Sequence, residues 1–291
     1  MYVSREGVLE KKSRTFGAIA LVLALAGLAL MAYPSVANLI NGTMMSKVNA
    51  EYSSAVSNLS DTKAKQMLAQ ARLYNEQLAN GSASLSDEPE GYSEQLALSE
   101  DQVMGRLSIP SIELDIPIYH GTSDSVLMLG AGHLSGSSLP VGGIGTHCVL
   151  MGHTGMPESK LFGGLTKLKQ GDAFYLHVLN EVIAYEVDSI DVVLPEELKT
   201  LGILPEEDRC SLVTCTPYGV NSHRLVVKGL RSSDKSSEES LMRPSSSLVI
   251  SAVALGGSLV VLGAFFAGRA LRRKRKEERM REKIMRRLND D

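Results

Sequence analysis

The chain has 291 residues, a formal net charge of −3, no tryptophan and three cysteines. Three cysteines exclude a dense disulfide framework, and their odd number leaves at least one thiol free. The near-neutral total also hides an uneven distribution of charge along the chain.

Two apolar runs lie near the ends of the chain. Residues 16–33 and 248–268 carry no charged side chain and are long enough to span a bilayer. Basic residues flank both runs on the side of the chain termini, which predicts that both termini are cytoplasmic. The two ends carry a net charge of +8, and the segment between them carries −11. We therefore expect residues from about 40 to 245 to be extracellular, and the basic tail to contact anionic lipid rather than nucleic acid.

The first apolar run has two alternative fates. Ser35–Ala37 has the small-x-small form of a signal-peptidase site, so the run is either a cleaved signal or a retained anchor. Its length favours retention. The second run holds the protein on the membrane in either case.

Helices are expected first in the extracellular segment. Residues 44–79 show apolar side chains at a 3–4 spacing in two stretches, and Ser60 with Asp61 forms a cap for the second stretch. A polar loop follows at residues 80–92.

From Met104 the pattern changes to short strands. Seven runs are strand-like: MGRLSI, LDIPIY, HCVLM, AFYLHV, VIAYEV, SLVTC and RLVVKGL. Asn180-Glu181 suggests a hairpin, and LPEELKTLG a short helix. So many short strands in a small domain predict a mainly β fold, closed or nearly closed into a barrel.

One segment combines a cysteine with a nearby arginine. In LVTCTPYGVNSHRL, Cys215 ends one predicted strand and Arg224 begins the next, with turn residues between them. A thiolate is a nucleophile when its charge is stabilised, and a guanidinium offers a permanent positive charge to a developing oxyanion. A surface arginine paired with a carboxylate is the alternative for Arg224.

A catalytic thiol also needs a proton donor for the leaving group, and the chain has six histidines. His153 follows the predicted strand HCVLM directly, so its side chain can reach across a barrel rim, and His133 is the second choice. His147 and His177 lie within strands and are expected to be structural. No metal is expected, because zinc-ligand spacings such as C-x2-C or H-E-x-x-H are lacking.

The segment around Cys215 resembles the signature of sortases, the cysteine transpeptidases of Gram-positive surfaces, and in particular the class C, pilin-polymerising branch. GRLSIPSIELDIPIYHGTSD, GHLSGSSLPVGGIGTH and VLMGHTGMPESKLFGGLTKLKQGD are similar to the same branch, over about residues 45–231. The resemblance implies an eight-stranded sortase β-barrel with N-terminal helices, flanked by two transmembrane helices. It implies Cys215 as nucleophile, His153 as general acid/base and Arg224 as the oxyanion-stabilising residue, with no cofactor.

The implied reaction cleaves an LPXTG-like sorting signal between Thr and Gly, stores the acyl group as a thioester, and transfers it to an amine. Implied partners are LPXTG-bearing pilin or surface proteins, with a pilin lysine as the acceptor. A cell-wall-anchoring sortase acting on a lipid-linked precursor, a peptidase using water, and a non-catalytic binding barrel remain alternatives.

The sequence differs from the class C pattern at the lid. Class C sortases carry an Asp-Pro-aromatic lid, in which the aspartate reaches the catalytic arginine and the aromatic ring covers the cysteine. Here the equivalent loop has Glu88-Pro89 preceded by Asp87, and no aromatic residue until Tyr92. The loop is either a degenerate lid, with Asp87 or Glu88 near Arg224 and Tyr92 as the covering ring, or a disordered acidic loop.

The expected organisation follows from these points. It comprises a cytoplasmic N-terminus (1–15), an anchor or signal segment (16–40), extracellular helices (41–80), a lid loop (81–102), the catalytic barrel (103–231), a Ser-rich stalk (232–247), a transmembrane helix (248–268) and a basic cytoplasmic tail (269–291).

Overall fold

A computed structural model describes residues 5–81, 88–98, 102–154 and 161–233. The helices in these ranges are α1 (Arg5–Ser57), α2 (Asp61–Asn80) and α3 (Asp124–Leu129), with 3₁₀ turns at Tyr92–Glu94, Pro110–Ile112, Phe162–Lys167 and Pro195–Thr200. The strands are β1 (Val103–Ile109), β2 (Leu114–His120), β3 (Ala131–His133), β4 (Thr146–Met151), β5 (Ala173–Val178), β6 (Glu181–Val193), β7 (Asp208–Thr216) and β8 (His223–Ser232).

The strands form a closed barrel in the order β1-β2-β3-β4-β7-β8-β6-β5. The pairs β2–β3 and β4–β7 are parallel, and the other neighbours are antiparallel. The barrel interior is the main apolar core, with Phe174, Tyr185 and Leu212 fully buried. The predicted eight-stranded, mainly β barrel is therefore confirmed. Seven strands match the seven apolar runs, whereas β3 is too short for alternation to show.

Two local predictions are also confirmed. The helical segment breaks between α1 and α2, where the Ser60 hydroxyl accepts a hydrogen bond from the Lys63 N–H at 3.3 Å. The expected hairpin joins β5 to β6 through Leu179 and Asn180, and Leu179 adopts a positive φ of 52° there. The LPEELKTLG segment forms a 3₁₀ turn rather than an α-helix.

Both long helices are fastened to the barrel by buried polar side chains. The Tyr52 hydroxyl of α1 donates to the Met104 carbonyl at 3.0 Å and accepts from the Leu179 N–H at 2.8 Å. Burial raises the pKa of Tyr52 to about 12. On α2, Asn75 bonds both the N–H and the carbonyl of Leu139, at 2.7 and 3.2 Å. These bonds satisfy backbone groups that a closed barrel otherwise leaves buried at its rim.

Among the residues that the structure describes, no helix combines the length and apolar character needed to cross a membrane. The first predicted span falls within α1, and the second, at residues 248–268, lies outside the described residues. Both spans stay predictions.

Candidate active site

The end of β4, which precedes His153, lies next to the end of β7, which carries Cys215. The strands run parallel with Met151 opposite Val213. Beyond that pair, the Gly152 N–H donates to the Val213 carbonyl at 3.1 Å, and the Thr214 hydroxyl donates to the Gly152 carbonyl at 2.7 Å. The next residues along the two strands are His153 and Cys215. Sequence reasoning did not single out Thr214, whose position directly before Cys215 was the only signal for it.

Cys215 and Arg224 are direct register partners in the antiparallel pair β7–β8. The prediction that one ends a strand and the other begins the next is therefore confirmed. Cys215 and Arg224 thus lie on neighbouring strands, and His153 lies two residues past the end of β4, the strand that pairs with β7 on its other side. This arrangement offers a nucleophile flanked by a proton carrier on one side and a fixed positive charge on the other.

A cavity of about 590 Å³ opens beside the nucleophile. Its lining includes Cys215, Thr154, which follows His153, and Tyr218 from the β7–β8 turn. Cys215 is half-buried, whereas Cys148 and Cys210 are buried. Cys215 is therefore a half-buried thiol that lines a cavity large enough to admit a substrate segment.

The β7–β8 turn holds the arginine in place. Arg224 Nη1 donates to the carbonyls of Asn221 and His223, both at 3.0 Å. Asn221 has a φ of 56°, a conformation that asparagine tolerates better than most residues. His223 lies opposite Thr216, and its ring nitrogen contacts the Ser222 hydroxyl at 2.9 Å.

The remaining histidine candidate is enclosed in the core. His133 is fully buried, with Nε2 2.8 Å from the Ser138 carbonyl and Nδ1 2.9 Å from the Tyr92 hydroxyl. A carbonyl only accepts, so Nε2 carries a proton, while the Tyr92 hydroxyl donates to the His133 carbonyl at 3.1 Å. His147 contacts the Gly202 carbonyl at 2.9 Å, and burial lowers its pKa. His133 and His147 thus bond within the core, whereas His153 follows β4, the strand that pairs with β7.

The expected lid residues separate into two groups. Asp87 lies outside the described residues, whereas Glu88 is exposed and Pro89 half-buried. The charge of Glu88 acts on the buried hydroxyls of Tyr74 and Tyr92, and the described part of the chain contains no ion pair between Glu88 and Arg224.

Tyr92 departs from its expected role as a cover for the cysteine. It is only 2% exposed, and its hydroxyl accepts from the Gly121 N–H at 3.0 Å while contacting His133. It is not among the described residues that line the cavity at Cys215. The physical reason is that a tyrosine ring with two buried partners for its hydroxyl is more stable in the core than over an open site. Tyr92 therefore anchors the segment that follows the acidic loop.

Comparison with known proteins identifies the family. A model described as the sortase domain matches residues 107–232. Sortase C1 of Streptococcus agalactiae is 42% identical, with a TM-score of 0.62, and the match covers 65% of this chain and all of that one. The chain belongs to the sortase family. Sortases are cysteine transpeptidases, which agrees with the arrangement at Cys215.

Other sortases of class C are similarly close. Sortase C of Clostridium perfringens, with the C-terminal cell wall sorting motif, is 41% identical with a TM-score of 0.58, covering 65% of this chain and 99% of that one. Sortase C of Streptococcus pneumoniae is 40% identical with a TM-score of 0.60, covering 65% and 97%. Sortase A of Bacillus anthracis is 32% identical over 133 residues, 46% of this chain. The chain spans 61% of the length of that sortase A.

Proposed function

We propose that this sortase is a membrane-anchored, extracellular transpeptidase that joins pilin subunits through a lysine amine. The observation that carries the proposal is the register of Cys215 with Arg224. It is supported by the pairing of β7 with β4, the strand that His153 follows by two residues. Two similarities support the substrate class. The C. perfringens relative was solved with a sorting motif, and the S. pneumoniae relative was solved with a view to pilin substrate specificity.

In the first half-reaction the Cys215 thiolate attacks the threonine carbonyl of an LPXTG-like signal. The carbonyl oxygen becomes an oxyanion, and Arg224 offers it a fixed positive charge. Oxyanion stabilisation of this kind contributes about 10²–10³ in rate. His153 then gives a proton to the leaving glycine amine, and the C–N bond breaks. The product is a thioester on Cys215 and a released peptide.

In the second half-reaction the amine of a pilin lysine attacks the thioester. His153, now neutral, accepts the proton that the amine loses as the new amide forms. The Cys215 thiolate leaves and is ready for another cycle. One amide replaces another, so the reaction needs no ATP outside the membrane.

The proposed location rests on charge. The predicted spans at residues 16–33 and 248–268 are flanked by basic residues at their terminal sides, and the segment between them is acidic. This arrangement favours a barrel outside the cell, where pilin subunits are assembled.

The experiment is product analysis with the full chain in detergent micelles. A fluorescent LPXTG peptide is incubated with and without a lysine-bearing acceptor peptide. We expect a ligated product that requires both the acceptor and Cys215, and its loss in Cys215→Ala. Release of free acid at the same rate with or without the acceptor would identify a hydrolase instead. Turnover by Cys215→Ala at the wild-type rate would refute the assignment of the nucleophile.

Matched substitutions separate the other two roles. Arg224→Ala should lower the rate about 10²–10³-fold, and Arg224→Lys less, because lysine keeps the charge but not the planar fork. His153→Ala should remove most activity, whereas His147→Ala should act mainly on stability, since His147 bonds a backbone carbonyl. If His133→Ala removed peptide cleavage without loss of stability and His153→Ala did not, the choice of base would be wrong.

A further inference from the structure

Two cysteines away from the active site face each other inside the barrel. Cys148 of β4 and Cys210 of β7 are register partners in a parallel pair. They are 1% and 0% exposed, and both belong to the main apolar core. Adjacent strands lie about 4.8 Å apart, within the Cα separation of about 4.4–6.8 Å that a disulfide spans.

We propose that Cys148 and Cys210 are joined by a disulfide in the mature protein, which leaves Cys215 as the single free thiol. The proposal rests on the extracellular location stated above and not on the transpeptidase activity. Cys215 is excluded as a partner because its own register partner is Arg224. Cys210 and Cys215 lie five positions apart on one strand, so their side chains face opposite sides of the sheet.

The oxidant is an extracytoplasmic protein disulfide of the thiol-oxidase class. The Cys148 thiolate attacks one sulfur of that disulfide, forming a mixed disulfide and releasing one oxidant thiolate. The Cys210 thiolate then displaces the second oxidant sulfur and forms the Cys148–Cys210 bond. The two cysteines lose two protons and two electrons, and the oxidant leaves as a dithiol. Because both sulfurs are buried in the folded barrel, the exchange takes place before β4 and β7 are enclosed.

The bond would act on the catalytic edge. His153 follows Cys148 by five positions, and Cys215 follows Cys210 by five. A covalent link between the two strands fixes the register that sets the base beside the nucleophile. It also removes two thiols that would compete with Cys215 for exchange during folding.

The test counts thiols in the full chain, expressed in a Gram-positive host and extracted under denaturing conditions with N-ethylmaleimide. We expect one adduct, on Cys215, two further adducts after reduction, and a non-reduced peptide pair linking Cys148 to Cys210. The Cys215→Ala variant should show no adduct before reduction. Three adducts without reduction, or a linkage that includes Cys215, would overturn the proposal.

A second measurement separates the disulfide from the proposed location. A membrane-impermeant thiol reagent applied to intact cells should label Cys215. Labelled Cys215 together with three free thiols overturns the disulfide and leaves the location intact. Unlabelled Cys215 in intact cells overturns the location on which the proposal rests.

Discussion

Gly152→Ala tests how tightly the end of β4 sets the catalytic histidine. A methyl group at this position would lie 2.7–2.9 Å from three ring carbons of Phe162, which is fully buried. Carbon atoms pack at about 3.5–4.0 Å, so the ring or the strand must move by roughly 1 Å. Overpacking of this size costs about 1–3 kcal/mol of stability. Because His153 directly follows Gly152, a shift of the strand end also displaces the imidazole ring of His153.

A displacement of about 1 Å at a reacting group costs on the order of 10²-fold in rate. We therefore expect Gly152→Ala to lower cleavage of an LPXTG peptide about 10²-fold. The matched control is Gly202→Ala, since a methyl group there meets no atom within 4 Å. Peptide cleavage and thermal unfolding of the full chain in micelles measure both effects. The Gly152→Ala/Phe162→Leu double variant should recover part of the activity. Wild-type rate and stability in Gly152→Ala would refute the packing argument.

Three further predictions concern stability and access. Tyr92→Phe leaves a buried His133 nitrogen without its 2.9 Å hydrogen-bond partner. The free energy of unfolding, measured by denaturant titration, should therefore fall by about 1–3 kcal/mol. A change within experimental error would argue against Tyr92 as an anchor in the core. Burial lowers the pKa of His177 to about 4. The contribution of His177 to the free energy of unfolding should therefore be fully present above about pH 6.5 and should decline as the pH falls towards 4. In His177→Gln the free energy of unfolding should depend less on pH over this range. An unchanged dependence would mean that other groups cause it. One exposed ion pair would hold an acidic lid closed by only about 0–1 kcal/mol. Deleting residues 84–87 should therefore raise the rate at which a thiol reagent labels Cys215 by less than about a hundredfold. A larger rise would show that the loop closes the site firmly.

Elements with a regular apolar pattern were predictable from the sequence. Seven strands appear in the sequence as runs of at least five mostly strand-forming residues, and Ser60 marks the start of α2 by its hydroxyl. The strand β3 has three residues and pairs with β2 in parallel, so only tertiary contacts define it. The 3₁₀ form of Pro195–Thr200 likewise depends on packing rather than on local propensity.

The pairing of Cys215 with Arg224 was predictable because both residues lie near strand ends. Cys215 and Arg224 flank a turn rich in Pro, Gly and Asn, and a turn of that kind brings flanking residues opposite each other. Which histidine completes the site depends on the parallel pairing of β4 with β7, which the pattern of apolar residues does not show. The contact of Tyr92 with His133 joins residues 41 positions apart and has no local signal.

The most direct test of the central claim is the mass of the acyl-enzyme. The full chain is mixed with an LPXTG peptide, quenched with acid before an amine is added, and mapped by peptide mass spectrometry. We expect an adduct equal to the acyl half of the peptide on Cys215, removed by hydroxylamine and by a lysine-bearing acceptor. The Cys148→Ala/Cys210→Ala variant should carry the same adduct, and Cys215→Ala none. Peptide cleavage with no adduct on Cys215, or an adduct on another residue, would contradict the proposed mechanism.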